Sequence, residues 1–129
     1  MEEHNVKKVT FENILSLADI ISIHVPLNNE TKYLFDKKTF QKMNNKPIII
    51  NSSRGGIINE IDLLEAYKNN YISGFALDVY EHEPVNKIFL KNITNEMNCI
   101  LSPHIAGVTE ESNTRVSEFI MNKTNEFFF

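Results

Sequence analysis

Residues 19–26 read DIISIHVP and residues 47–51 read PIIIN, and these two runs decide the fold. Both are short, apolar and rich in β-branched side chains; Pro26 closes the first and Pro47 opens the second. Without polar alternation, such runs read as strands buried on both faces of a parallel sheet. Between them, Asp36 can cap a short helix expected through Met43, although Lys37 and Lys38 oppose the helix dipole in its first turn. Beyond the second run, Asn59 caps a helix with Glu60 and Asp62 in its first turn. Leu63, Leu64 and Tyr67 face its core side, and Asn69 and Asn70 close it.

Residues 75–79 read as a third buried strand entered through Gly74, and residues 99–102 as a fourth, shorter one. Thr109, followed by Glu110 and Glu111, starts a last helix along which Val116, Phe119, Ile120 and Phe127 recur on one side. At the front, residues 6–10 are expected as a stub of strand leading into a helix over residues 11–18. Strand and helix alternate throughout, which predicts α/β architecture around a parallel sheet.

Composition narrows the function. At 129 residues the chain is expected to form a single domain, and 42% hydrophobic with 23% charged residues is enough apolar material for a real core. A net charge of -4 offers no basic stripe for a phosphate backbone, so nucleic acid is not the expected partner. The single Cys99 rules out an internal disulfide, and no apolar segment suggests secretion or membrane insertion, so a cytoplasmic location is expected. Seventeen asparagines create Asn-x-Ser/Thr matches at Asn29, Asn51, Asn92 and Asn122, read here as products of composition.

In an open α/β sheet, ligands bind outside the carboxyl ends of the strands, where loops and helix N-termini present unpaired donors. Four loops therefore matter: residues 24–26 (HVP), 52–56 (SSRGG), 78–84 (DVYEHEP) and 102–107 (SPHIAG). Arg54, followed by Gly55 and Gly56, has a planar fork suited to a carboxylate; the alternative is an exposed Arg in an ordinary turn. His104 can serve as acid or base near neutral pH, or be structural. Glu83 precedes Pro84, which favours extended backbone there; taken alone, it is a solvated loop carboxylate like Glu81. An anion holder, a proton-transfer group and an orienting carboxylate are separate needs of one reaction, so the set is more informative than its members.

The runs LADIISIHVPLNNETKYLF, IIINSSRGGIINEIDLLEAY, SGFALDVYEHEP and ILSPHIAGVTEES resemble, in order and spacing, the second half of the D-isomer-specific 2-hydroxyacid dehydrogenases. That resemblance, nearest to the phosphoglycerate dehydrogenase-like subgroup, implies hydride transfer between NAD and C2 of a D-2-hydroxy acid. It implies Arg54 as holder of the substrate carboxylate, His104 as acid or base on the hydroxyl, and Glu83 as support for His104. It implies cofactor contacts at His24, Val25, Pro26, Ser52, Ser53, Arg54, Asp78, His104, Ala106 and Gly107, Asp78 lying near the carboxamide. No metal is implied.

The family's GxGxxG loop is formed by none of Gly55, Gly56, Gly74 and Gly107. The fold implied is therefore a partial Rossmann-like doubly wound parallel sheet, lacking the first βαβ unit and the substrate domain, with residues 1–129 as the C-terminal part of a NAD-binding domain. In the strand order 3-2-1-4-5-6, the strand beginning near Asp19 is then expected at an unpaired edge. The implied partners are a small 2-hydroxy acid and either an N-terminal half or a second copy. A non-catalytic nucleotide-binding or interaction module, and an inactive gene remnant, are the rival readings. The segment that separates NAD from NADP is not among these motifs.

Overall fold

A computed structural model describes residues 6–93 and 96–128. Four strands, β1 (Ile20–Ile23), β2 (Ile48–Asn51), β3 (Gly74–Leu77) and β4 (Cys99–Leu101), form one parallel sheet in the order β1-β2-β3-β4. Among the described residues five helices accompany them: α1 (Phe11–Leu17), α2 (Lys37–Phe40), α3 (Glu60–Lys68), α4 (Lys87–Lys91) and α5 (Glu110–Phe128). The expected α/β parallel sheet forms, with β1 at its edge.

The register stacks Ile21, Ile49, Phe75 and Cys99 in one row across the sheet, and Ile23, Asn51, Leu77 and Leu101 in the next. Leu15 of α1, Phe40 of α2, Leu63 and Leu64 of α3 and Phe89 of α4 share a core with these rows. A sheet whose strands advance in one direction, joined by right-handed crossovers, receives its connecting helices on one face. The opposite face carries Ile20, Ile50, Ala76 and Ile100, with Ile20 60% and Ile100 72% exposed. This corrects the reading of the strands as buried on both faces: β1 alternates exposed and buried, because no layer among the described residues covers its second side.

Helix boundaries follow local chemistry. Asn59 accepts from the amides of Ile61 and Asp62 and starts α3, while Asn69 caps its end and Asn70 turns away at φ 57°. Asp36 accepts from Thr39 N as expected, but α2 stops at Phe40 rather than Met43. Phe40 and Met43 are both buried all the same, the latter in the turn that follows. The strand stub expected over residues 6–10 is not formed; those residues are exposed and carry no regular structure, no described strand pairs with them, and Thr10 instead caps α1 through Asn13 N. α4 was not anticipated: Asn86 caps it and Phe89 anchors it.

Thr109 Oγ1 accepts from Ser112 N at the start of α5. This helix has no buried residue, and Val116, Phe119, Ile120 and Phe127 are 54–83% exposed. Among the described residues, its apolar side is covered by no other element. No described helix is long and apolar enough to cross a membrane.

Candidate active site

Because β2, β3 and β4 are adjacent and parallel, the loops leaving their carboxyl ends lie side by side. These are the turn holding Arg54, the loop holding Asp78 and Glu83, and the turn holding His104. His24 follows β1 on the same rim.

Glu83 and His104, 21 residues apart, meet there: Nδ1 of His104 lies 2.8 Å from Oε2 of Glu83. An ionised carboxylate only accepts, so Nδ1 carries the proton of this bond and Nε2 is left for chemistry. The other Glu83 oxygen accepts from Tyr80 N at 3.2 Å. The His104 hydrogen bond, followed by that of the Tyr80 amide, holds the Glu83 carboxyl below its ordinary value. Both side chains remain accessible, His104 at 47% and Glu83 at 40% exposure.

His104 adopts φ 56°, in the left-handed region that non-glycine residues rarely occupy. Asp78 holds that turn. Its Oδ1 accepts from Ser102 Oγ at 2.5 Å and Ile105 N at 2.9 Å, and its Oδ2 from Ala106 N at 2.9 Å. Burial alone would raise the Asp78 carboxyl; the Ser102 hydroxyl and the two amides outweigh it and leave the group below the usual carboxylate range.

Arg54 is exposed, and among the described residues its guanidinium has no carboxylate within ion-pair distance; Nη1 donates to Ser53 O at 2.6 Å. Its backbone is better fixed than its side chain. Asn51, 2% exposed, donates from Nδ2 to Arg54 O at 3.0 Å and accepts from Ser53 N and Ser53 Oγ at 3.1 and 2.8 Å. A Cβ on Gly55 would fall 1.7 Å from Tyr80 O, so only glycine lets the Arg54 turn lie against the loop that carries Glu83.

The residues expected to touch the cofactor divide by environment. A cleft of about 190 Å³ opens on the uncovered sheet face, floored by Ile50, Ala76 and Ile100 and rimmed by Ser52, Asp78 and Ser102. An apolar floor with a polar rim suits a flat, amide-bearing ring, so the residues present fit the nicotinamide end of NAD. His24 is hydrogen-bonded to Ser22 at 2.7 Å, Val25 is 36% exposed, Pro26 accepts through its carbonyl from Thr31 Oγ1 at 2.6 Å, and nothing crowds Gly107. The Ser53 hydroxyl is engaged within its own turn by Asn51, and the Ala106 amide by Asp78 of the loop after β3. Among the described residues no cluster of His, Cys, Asp or Glu could hold a metal ion.

Sequence reading missed several supports. Tyr80, buried, donates to Leu77 O and Ser102 O and so ties the β3 loop to the end of β4. Glu81, read as a solvated carboxylate, instead accepts from Glu60 N at 2.7 Å and from the Tyr33 hydroxyl at 3.0 Å. Its partner lies in another element, invisible to local pattern. Asn51 was legible in principle, as a polar residue ending an apolar run just before a glycine turn.

Comparison with known proteins bears on this geometry. A family model described as "D-isomer specific 2-hydroxyacid dehydrogenase, NAD binding domain" matches residues 1–106. The D-3-phosphoglycerate dehydrogenase of Bacillus subtilis (strain 168) is 38% identical over 134 residues, which takes in 98% of this chain and 25% of that protein. Among solved structures, a glyoxylate reductase from Paecilomyes thermophila superposes with a TM-score of 0.79 at 30% identity, covering 91% of this chain and 35% of that one. A Lactobacillus jensenii D-lactate dehydrogenase with NAD+ gives 0.78 at 31% identity, covering 88% and 38%. The chain thus spans a quarter to two-fifths of the length of these proteins.

Proposed function

This chain belongs to the D-isomer specific 2-hydroxyacid dehydrogenase family, and from that premise we propose that its strand-end rim is the catalytic half of a site for NAD-linked interconversion of a D-2-hydroxy acid and its 2-oxo acid. Residues 1–129 act as the C-terminal part of a NAD-binding domain. The observation that carries the reading is the Glu83–His104 pair, 2.8 Å apart, on a turn whose strained backbone Asp78 holds in place.

NAD would be held by the residues of the cofactor side named below, and would supply or accept the hydride. The chain's residues do the rest. Arg54 binds the substrate carboxylate through its fork, which fixes C2 on the rim. In the direction of reduction His104 is protonated; Nδ1–H stays with Glu83 and Nε2–H gives its proton to the carbonyl oxygen. In oxidation the neutral Nε2 takes the hydroxyl proton. The Glu83 carboxylate fixes the ring orientation and balances its charge, and Asp78, which holds the His104 turn, would lie near the carboxamide. Arg54, Glu83 and His104 are the catalytic residues; His24, Val25, Pro26, Ser52, Ser53, Asp78, Ala106 and Gly107 line the cofactor side. The resemblance to phosphoglycerate dehydrogenases supports a small anionic 2-hydroxy acid as substrate.

The test uses the 129-residue chain alone and a chimera in which it replaces the matching segment of the Bacillus subtilis relative. NADH consumption with 2-oxo acids is expected from the chimera and not from the chain alone. His104→Gln in the chimera should lower turnover by about 10²–10⁴-fold, the usual scale of general acid–base catalysis, with NADH affinity unchanged. A folded chimera that binds NADH, turns over, and is indifferent to His104→Gln overturns the proposal.

A further inference from the structure

Glu60 opens α3 and Glu81 sits in the loop after β3, yet the two residues hold each other twice. Glu81 N donates to Glu60 Oε1 at 2.6 Å, and Glu60 N donates to Glu81 Oε1 at 2.7 Å. Tyr33 donates its hydroxyl to the remaining Glu81 oxygen. Two carboxylates are brought together in a place where Glu60 is only 6% exposed. Burial pushes the Glu60 carboxyl up, the Glu81 amide pulls it down, and the Glu81 charge pushes it up again. An acid pair in such surroundings opposes its own assembly.

The start of α3 does not require it. Asn59 already accepts from Ile61 N and Asp62 N, the amides a helix N-terminus leaves unpaired. The consequence of the pair lies at its other end. Tyr80, next to Glu81, donates its amide to Glu83, and Glu83 holds His104. The Tyr80 carbonyl and the Glu81 amide are also the atoms against which Gly55 lies, one residue from Arg54. The segment fixed by Glu60 therefore touches both the turn of the anion holder and the support of the proton-transfer group.

We propose that the reciprocal Glu60–Glu81 clasp is a positioning device that registers the Arg54 turn against the Glu83 loop, so that the carboxylate holder and the Glu83–His104 pair keep a fixed spacing. The proposal rests on the roles given above to Arg54, Glu83 and His104. Neither Glu60 nor Glu81 touches substrate; each acts through the backbone it holds. The apolar side chains of the core keep the loop folded, and the clasp sets where on the rim it lies.

The test reads geometry without activity, by carbon NMR titration of the Glu83 carboxyl in the full 129-residue chain. In the native chain Glu83 titrates below its ordinary value because of His104 and the Tyr80 amide. Glu60→Ala and Glu81→Ala should each move that midpoint up toward the ordinary glutamate value. Glu60→Gln keeps an acceptor for the Glu81 amide and should leave the midpoint low. Asn59→Ala weakens the same helix start without touching the clasp and should also leave it low. Should Glu60→Ala fail to fold, Glu81→Ala carries the same comparison, and Glu60→Gln replaces the buried carboxylate by an amide of equal size. An unmoved midpoint in the folded alanine variants, or an equal rise in Asn59→Ala, overturns the clasp. A moved midpoint in a chain whose chimera turns over no 2-oxo acid leaves the clasp standing and overturns the function.

Discussion

Ile105 donates its amide to Asp78 Oδ1 at 2.9 Å, one residue after His104 turns through φ 56°. The left-handed backbone of a histidine is held, through the Ile105 amide, by a carboxylate 27 residues before that isoleucine, on the neighbouring strand's loop. Strain of this kind persists only where surrounding bonds over-determine it. Asp78→Asn replaces one acceptor oxygen by a donor that faces an amide or hydroxyl donor. It should cost about 1.5–3 kcal/mol, the range for hydrogen bonds to charged groups, measured by urea unfolding of the chain. Asp78→Asn with wild-type stability would show that the turn holds itself.

The same carboxylate sets a pH dependence. Asp78 and Glu83 are both held below their ordinary values, Glu83 first by His104 and Asp78 by hydrogen bonds that outweigh its burial. The folded chain releases these protons more readily than the unfolded chain, so both groups contribute stability above the unfolded values of about 3.9 and 4.3, and the contribution is lost as pH falls through the folded values below them. Glu60 has the opposite sign: burial raises it, so its ionisation removes stability as pH rises from about 4.3 through its folded value. Urea midpoints across this range should fall less steeply toward acid in Asp78→Asn than in the wild type. Glu60→Gln should flatten the loss that accompanies rising pH.

Core positions and surface positions are separable by substitution. Ile49 is fully buried in the row between Ile21 and Phe75, and Ile49→Ala should cost about 2–5 kcal/mol. Ile61 points out of α3 with 71% exposure, and Ile61→Ala should stay within about 0.5 kcal/mol of the wild type. Thermal unfolding followed by circular dichroism distinguishes the two. An equal effect at both would put the core on the wrong face of α3.

How much of this was legible depended on whether the partner was local. The strands were readable because apolar β-branched runs need no partner to be recognised, and the caps at Asp36, Asn59 and Thr109 act within three residues of themselves. The single covered sheet face was not readable from DIISIHVP, since Ile20 and Ile21 have the same chemistry and only the direction of the crossovers decides which is covered. The motif order pointed to Arg54, Glu83 and His104; Tyr80 and Glu60 escaped because they bond to other loops, 22 and 21 residues away, whereas Asn51 holds its own turn and was open to local reading. Glu81 shows the limit most plainly. Glu83, two residues on, differs locally only in preceding Pro84, which says nothing of the partner; one carboxylate joins a helix start and the other a histidine.

The uncovered face leads to the last prediction. Ile20, Ile50, Ala76 and Ile100 form an apolar surface across four strands, β1 presents an edge, and α5 turns Val116, Phe119 and Ile120 to solvent. Contiguous apolar surface and unpaired strand edges drive association in water. The 129-residue chain should therefore self-associate with rising concentration, as sedimentation velocity will show. Ile100→Lys places a charge in the middle of that surface, at a position 72% exposed, and should shift the distribution toward monomer without lowering the urea midpoint. Phe119→Lys does the same on α5, so the two variants tell which surface is used. If the wild-type chain sediments as a single monomer at every concentration, neither surface is adhesive, and the exposed isoleucines are tolerated as they stand.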